Sequence, residues 1–119
     1  MNRQVLPLSD ASIEQIAHTF RALSEPQRLR ILQVLETGEH PVGDIVAAVK
    51  GTQSNISRHL QALNLAGLVK RRRDGTCILY AISDPMVFRL CALVCKAQQG
   101  PPAKPPVTSK SKSRQTGKR

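Results

Sequence analysis

Four basic residues follow one another in the middle of the chain: Lys70, Arg71, Arg72 and Arg73. They stand between a segment of helical periodicity and an Asp-Gly pair that is typical of a tight turn. Ammonium and guanidinium groups at this density bind phosphates, above all those of a nucleic-acid backbone. We interpret the run as a phosphate-binding element. The alternative is that these charges only keep an exposed strand soluble and have no binding role.

The segment before this run is predicted to be a helix with one apolar and one polar face. At about 100° per residue, Ile56, Leu60 and Leu63 fall on one side. The other side suits base and phosphate contacts, because Arg donates to guanine, Asn or Gln pairs with adenine, and Ser serves either. His59 lies near the apolar side and is interpreted as a packed residue. The candidate DNA-binding residues are Gln53, Ser54, Asn55, Ser57, Arg58 and Gln61.

Two cysteines offer a second kind of chemistry. Cys91 and Cys95 are four residues apart, so on a helix they share a face. Their thiolates can bind a soft metal or metalloid ion, or react with an oxidant or a sulfur species. The alternative is that they pack as small apolar side chains, and this is our interpretation of the isolated Cys77. An odd number of irregularly spaced cysteines is no disulfide framework, so we expect free thiols.

The elements that position these residues can be read from capping patterns, prolines and glycines. These signals divide the first part of the chain into four helical segments. A capping-box pattern at Ser12 and Gln15 begins the first helix, and Ser24 and Pro26 begin the second, which ends at Gly38. Residues 41–50 form the third helix, and the polar-faced helix runs from Thr52 or Gln53 to Gly67.

A β-hairpin is predicted to follow, with Asp74 and Gly75 as its two-residue type I′ turn. Asp84 and Pro85 then open a last helix that runs to about residue 98, and ten of the twelve residues from 86 to 97 are apolar. A helix that is apolar on nearly every side needs cover from more than its own chain. We therefore predict a homodimer.

Composition and charge limit the classes of function. The formal charge of +10 and the pI near 10.4 favour a polyanionic partner, with double-stranded DNA ahead of an anionic membrane. Residues 100–119 carry six basic residues and no acidic one, whereas residues 1–99 carry 12 basic and eight acidic ones. No apolar run is long enough to span a bilayer and no signal-peptide segment opens the chain, so we expect a cytoplasmic protein without membrane contacts.

The order of these elements is typical of a winged helix-turn-helix, in which the second helix of the pair enters the major groove. The predicted fold class is mainly α with a β-hairpin: about five helices plus a two-stranded wing, in a homodimer. The predicted boundaries are an N-terminal arm over residues 1–11, a DNA-binding and dimerisation domain over residues 12–99, and a disordered basic tail over residues 100–119.

Two stretches, ALSEPQRLRILQVL and QSNISRHLQALNLAGLVKRRRDGTCILYAI, resemble the ArsR/SmtB family of small bacterial winged-helix repressors, across roughly residues 12–98. The resemblance implies a homodimer built through the first and last helices, a palindromic operator and an inducer that relieves repression. The family's inducer sites do not carry over. The two cysteine positions of its CVC motif match Pro41 and Gly43, and the last helix has Asp84 at its start but no histidine.

The predicted function is a sequence-specific DNA-binding transcriptional regulator, a repressor that a small effector releases from its operator. Cys91 and Cys95 are the candidate effector-sensing residues. The effector is unknown, a soft metal or metalloid ion being one candidate, and DNA binding requires no cofactor. The alternatives are a winged-helix protein-interaction module and a constitutive regulator without a cysteine sensor. No catalytic residue is expected, because the three histidines form no metal-binding or triad pattern and no phosphate loop is present.

Overall fold

The computed structural model describes residues 8–99 as two compact units, one that ends at Pro85 and one that begins at Met86. The predicted basic tail, residues 100–119, and residues 1–7 of the predicted arm lie outside the described residues. Five helices and a β-hairpin wing confirm the predicted fold class. In chain order the elements are α1 (Asp10–Ala22), α2 (Pro26–Leu35), β1 (His40–Pro41), α3 (Val42–Val49), α4 (Gln53–Leu65), β2 (Val69–Asp74), β3 (Cys77–Ile82) and α5 (Met86–Gln99).

Two helix starts differ from the predicted ones. The N-cap of α1 is Ser9, whose hydroxyl accepts a hydrogen bond from the backbone N–H of Ser12 at 3.1 Å, so Ser12 lies inside the first turn. The hydroxyl of Ser24 donates to the carbonyl of Arg21 at 2.8 Å and therefore belongs to the end of α1. α2 begins at Pro26, a position where the missing N–H leaves no helical hydrogen bond unmade.

The sheet has three antiparallel strands in the order β1-β3-β2, one more than the predicted two-stranded wing. The additional strand is only two residues long: His40 pairs with Tyr80, and Pro41 pairs with Leu79. Proline is tolerated there because β1 is an edge strand. The chain segment before α3 is thereby joined to the central strand of the sheet.

The turn of the wing is shifted by one residue from its predicted position. Asp74 pairs with Cys77, so the two turn residues are Gly75 and Thr76. Gly75 has a φ of +65°, and Lys50 is the one non-glycine residue with a positive φ in the described part of the chain. Glycine at the first turn position with an ordinary residue after it is the type II′ pattern, not the predicted type I′.

The core of the first unit lies where α2, α3 and α4 meet one another and the sheet. Its side chains come from the apolar faces that helical periodicity predicts, together with the start of β2 and the middle of β3. Burial of these faces is the main source of the unit's stability. The largest are Ile31, Leu32, Leu35, Ile45, Ile56, Leu60, Leu63, Val69 and Tyr80, all at most 6% exposed.

A tight turn joins α3 to α4 and determines where α4 begins. Lys50 ends α3 in the left-handed conformation, with φ 65° and ψ 51°. A Cβ on the next residue, Gly51, would lie 2.9 Å from Cδ1 of Ile56, so a side chain there would force Ile56 to shift. Thr52 then caps α4, because its hydroxyl accepts a hydrogen bond from the N–H of Asn55 at 3.2 Å.

Helices of both units expose apolar side chains. On α1 of the first unit, Ile13 and Phe20 are half exposed. On α5, which belongs to the second unit, Leu93 is 67% exposed and Val94 is 48% exposed. Within residues 8–99, no helix has the length and apolar character needed to cross a membrane.

Candidate DNA interface

The orientation of α4 is determined by its apolar face. Ile56, Leu60 and Leu63 are fully buried, so the opposite side of the helix points to solvent. Ser57, at the border between the two faces, is half-buried. The other predicted contact residues on α4 are all exposed: Gln53, Ser54, Asn55, Arg58 and Gln61.

Two of these residues bind each other. Nη2 of Arg58 donates a hydrogen bond to Oδ1 of Asn55, one turn earlier on the exposed face of α4. The contact is between a cation and a neutral amide, so it neutralises no charge. Both side chains remain free to exchange this hydrogen bond for contacts with bases or phosphates.

His59 is packed, as predicted, and is only 7% exposed. Its Nδ1 accepts a hydrogen bond from Nε of Arg28 at 3.1 Å, and Nη1 of the same arginine is 3.4 Å from the carbonyl oxygen of Ala22. Burial lowers the pKa of His59, and the positive charge of Arg28 lowers it further. The arrangement ties α4 to α2 and to the end of α1 with a neutral imidazole.

The four basic residues of the wing lie on β2, which packs beside α4 in the first unit. All four are exposed. Because side chains alternate along a strand, Arg71 and Arg73 share one face of the sheet, and Lys70 and Arg72 share the other. The predicted phosphate-binding run therefore divides into two pairs that point in opposite directions.

One of the four has a strong partner. Nε and Nη2 of Arg72 donate to Oε2 and Oε1 of Glu39 at 2.7 Å and 2.8 Å, a bidentate ion pair between residues 33 positions apart. These hydrogen bonds lower the pKa of Glu39, and the charges of Arg72 and Lys70 lower it further. The same hydrogen bonds raise the pKa of Arg72. Both groups are therefore ionised at neutral pH.

All three cysteines are free thiols. Cys91 is half-buried and Cys95 is exposed on α5, where Nε2 of Gln99 is 3.6 Å from the Cys95 sulfur. Cys77 is exposed at the start of β3, so the prediction that it packs is wrong. Among residues 8–99 of one chain, no group of three or more His, Cys, Asp or Glu side chains could hold a metal ion.

Two residues that the sequence did not single out help to organise the surface. Glu39 binds the wing through Arg72, and Arg28 holds His59 beneath α4. Both contacts join residues more than 30 positions apart. The sequence signals were only an acidic residue beside a turn and a basic residue inside a helix, neither of which identifies its partner.

The family described as bacterial regulatory protein, arsR family, matches residues 25–71, which run from the start of α2 into β2. The HTH-type transcriptional regulator NmtR of Mycobacterium tuberculosis is 39% identical over 89 residues, covering 75% of this chain and 74% of that protein. The transcriptional repressor SmtB homolog of Synechocystis is 39% identical over 90 residues, covering 74% of this chain and 68% of the homolog.

Among solved structures, a domain from Mycobacterium bovis is similar with a TM-score of 0.69 and 38% identity, covering 80% of this chain and 92% of that domain. It is described as a homodimeric winged helix-turn-helix DNA-binding domain from a possible ArsR-family transcriptional regulator.

Proposed function

The chain belongs to the ArsR family of bacterial regulatory proteins, and on that premise we propose that it is a repressor that binds operator DNA as a homodimer and is released by an effector. Its relatives are transcriptional regulators, which supports a DNA-binding regulator rather than an enzyme. The observation that carries the proposal is the exposed polar face of α4 beside the basic wing, within one unit.

In this proposal α4 lies in the major groove. Arg58 donates to guanine O6 and N7, and Asn55, freed from Arg58, pairs with adenine. Gln53, Ser54, Ser57 and Gln61 contact neighbouring bases or phosphates. His59 remains beneath the helix, where its hydrogen bond with Arg28 fixes the angle at which α4 is presented.

The wing supplies phosphate contacts beside the groove. Arg71 and Arg73 lie on the sheet face that also carries the buried Val69 and Tyr80, and this face packs against the helices. Cations that contact phosphates add affinity without reading the sequence. They therefore hold the duplex while α4 discriminates.

Arg58→Ala tests the reading role of α4. The affinity of the full chain is measured for a duplex that the wild type selects from a random pool, and for an unselected duplex of equal length. We expect discrimination between the two duplexes to fall about 5- to 150-fold, the effect of losing about 1–3 kcal/mol at a guanine contact.

Arg30→Ala is the matched control for this substitution. Arg30 is also exposed and lies on α2, and among residues 8–99 its side chain bonds only Gln27, at 3.0 Å. The Arg30→Ala substitution removes the same charge and should leave the discrimination between the two duplexes unchanged. If Arg58→Ala keeps wild-type discrimination, α4 does not read bases through this residue. If no duplex binds in a salt-dependent way, the protein-interaction module becomes the better reading.

The homodimer in this proposal is supported by the similar Mycobacterium bovis domain, which is homodimeric, and by the exposed apolar side chains of α1 and α5. A two-fold axis presents two copies of α4 to the duplex. Half-sites about one helical turn apart then follow from the symmetry, which is why we propose a palindromic operator.

For the effector, we propose that the thiols of Cys91 and Cys95 are the sensor. Both lie one turn apart on α5, and within one chain Cys95 is exposed and Cys91 is half-buried. Two thiolates bind a soft metal or metalloid ion or react with a sulfur species or oxidant. Either event on a helix at a dimer interface can favour one dimer geometry over another, and about 1–3 kcal/mol suffices for a 5- to 150-fold change in operator affinity.

The sensor is tested by operator release with arsenite, a persulfide or an oxidant. Cys91→Ser and Cys95→Ser should each abolish the release, and Cys77→Ser is the matched control that should retain it. Release that survives either helix substitution, or disappears with Cys77→Ser, contradicts the proposal. If the wild type responds to none of these reagents, the protein is a regulator without a cysteine-based sensor.

A further inference from the structure

The ion pair between Glu39 and Arg72 engages one of the four wing cations. Two N–H groups of the guanidinium are used in parallel bonds of 2.7 Å and 2.8 Å to the two carboxylate oxygens. Charge-assisted bidentate pairs of this kind are stronger and more specific in geometry than neutral hydrogen bonds. A phosphate that approached Arg72 would meet a neutralised cation and a neighbouring carboxylate.

The strand register shows how the pair is built. Pro41 pairs with Leu79, and Leu79 pairs with Arg72 across the other edge of β3. Side chains two residues apart share a sheet face, so Glu39 lies on the same face as Pro41 and Arg72. The ion pair thus spans the central strand and joins the segment before β1 to β2. We call this face, with Glu39, Lys70, Arg72 and Asp74, the outer face.

The opposite face carries the buried Val69 and Tyr80 and packs against the helices, and we call it the helix-side face. Arg71 and Arg73 lie on it, opposite Tyr80 and Ile78. Its two wing cations have no carboxylate among the wing residues of that face. The outer face carries two cations and two carboxylates and has no net formal charge.

Resting on the proposed DNA-binding function, we propose that Glu39 is a positioning residue that keeps Arg72 away from DNA, so that the wing binds phosphates through Arg71 and Arg73. In this arrangement Glu39 lowers the affinity for duplex DNA of any sequence. Low nonspecific affinity favours a regulator that must find one operator among many competing sites. The ion pair also ties β2 to the segment before β1 across the central strand β3.

The test is the salt dependence of binding to a random-sequence duplex, measured with the full chain between about 50 and 200 mM salt. The slope of log K against log salt is negative, and each lost phosphate contact makes it shallower by about 0.9. Arg71→Gln and Arg73→Gln should each make the slope shallower by that amount per chain. Arg72→Gln removes the same charge and should leave the slope unchanged.

Glu39→Gln should have the opposite effect. It releases Arg72, so the slope should steepen by about 0.9 per chain, with tighter binding at the lowest salt concentration. Glu36→Gln is the matched control, because Glu36 is exposed three residues earlier and has no ion-pair partner among residues 8–99. It should behave as the wild type. The double variant Glu39→Gln/Arg72→Gln should return to the wild-type slope.

Any of three results would overturn the inference. The slope for Arg72→Gln could become as shallow as that for Arg71→Gln, or the slope for Glu39→Gln could equal that of the wild type. In the third case, the slope for Glu36→Gln would steepen as much as that for Glu39→Gln. A different pattern, wild-type slopes for Arg71→Gln and Arg73→Gln as well, would contradict the proposed phosphate contacts of the wing themselves. Thermal unfolding of each variant, followed by circular dichroism, verifies that these exposed substitutions leave the fold intact.

Discussion

At the scale of single residues, the surface around α4 is organised by hydrogen bonds of two kinds. Those on the exposed side, such as Arg58 with Asn55, can be exchanged for contacts with DNA at little cost, because both groups are already solvated. The bond between Arg28 and His59 lies beneath the helix, where breaking it would leave buried polar atoms without partners. The exposed hydrogen bonds serve DNA recognition, and the buried one holds α4 in place.

The buried histidine predicts a loss of stability in mild acid. Burial and Arg28 lower the pKa of His59 in the folded state, so the unfolded chain binds this proton first. The stabilising contribution is present above the ordinary histidine pKa of about 6.5 and is lost as the pH falls below it. We expect the free energy of unfolding, measured by urea titration, to decrease from pH 7 to pH 5.

His59→Gln isolates this contribution, because the amide oxygen of glutamine can accept the same hydrogen bond from Arg28 but does not titrate. The variant should lose less stability than the wild type over the same pH interval. Equal losses in the two proteins would mean that the imidazole of His59 does not titrate with folding.

At the scale of elements, the turn between α3 and α4 determines where the reading helix begins. The positive φ falls on Lys50, where a non-glycine residue costs about 1 kcal/mol or more. Glycine occupies the next position, where a Cβ would lie 2.9 Å from Ile56 and force that side chain to shift. The turn therefore carries local backbone strain at Lys50, and this conformation lets α4 pack closely on α3.

Gly51→Ala should therefore destabilise the protein by about 1–3 kcal/mol, since its Cβ would lie 2.9 Å from a core methyl group that has little room to move. Gly43→Ala is the matched control: it lies inside α3, and a Cβ there meets nothing within 4 Å. That variant should be unchanged or slightly more stable, because alanine favours a helix. Comparable losses for the two variants in thermal unfolding would show that the close approach to Ile56 carries no cost.

Helical periodicity predicted the elements well where the pattern was long. The faces of α2 and α4, the wing and the position of α5 follow from repeated apolar residues and from glycine and proline at the ends. Short features were missed, because the two residues of β1 have no period and the cap of α1 required a choice between Ser9 and Ser12. The turn was shifted because pairing of Asp74 with Cys77, not the Asp-Gly pattern, sets the register.

The candidate site was predictable in composition but not in its pairing. The polar residues of α4 and the basic run were found from residue type and spacing alone, and the structure exposes nearly all of them. The division of the wing into two faces follows from strand alternation once the strand is known. The partner of Arg72 could not be found, because Glu39 reaches it across β3 from 33 positions away in the sequence.

At the scale of the whole molecule, the apolar side chains that remain exposed need an explanation. Leu93 and Val94 on α5 and Phe20 on α1 are large and each is about half exposed or more. Single exposed apolar residues are ordinary, but several on the same helix mark a surface that another protein covers. In a symmetric dimer every such residue is buried twice, once in each chain.

Leu93→Asp should consequently yield monomers. Burying a leucine stabilises an interface by about 1.5–3 kcal/mol, and two-fold symmetry doubles the loss, so the dimer dissociation constant should rise at least about 100-fold. Leu65→Asp is the control, because Leu65 is equally exposed, at 73%, but lies at the end of α4. In sedimentation equilibrium at micromolar concentration, the wild type and Leu65→Asp should be dimers of the 13.1 kDa chain and Leu93→Asp a monomer. A folded wild-type monomer, or a Leu93→Asp dimer of unchanged affinity, would show that α5 is not part of the interface. Its two cysteines could then not change DNA binding through the dimer geometry.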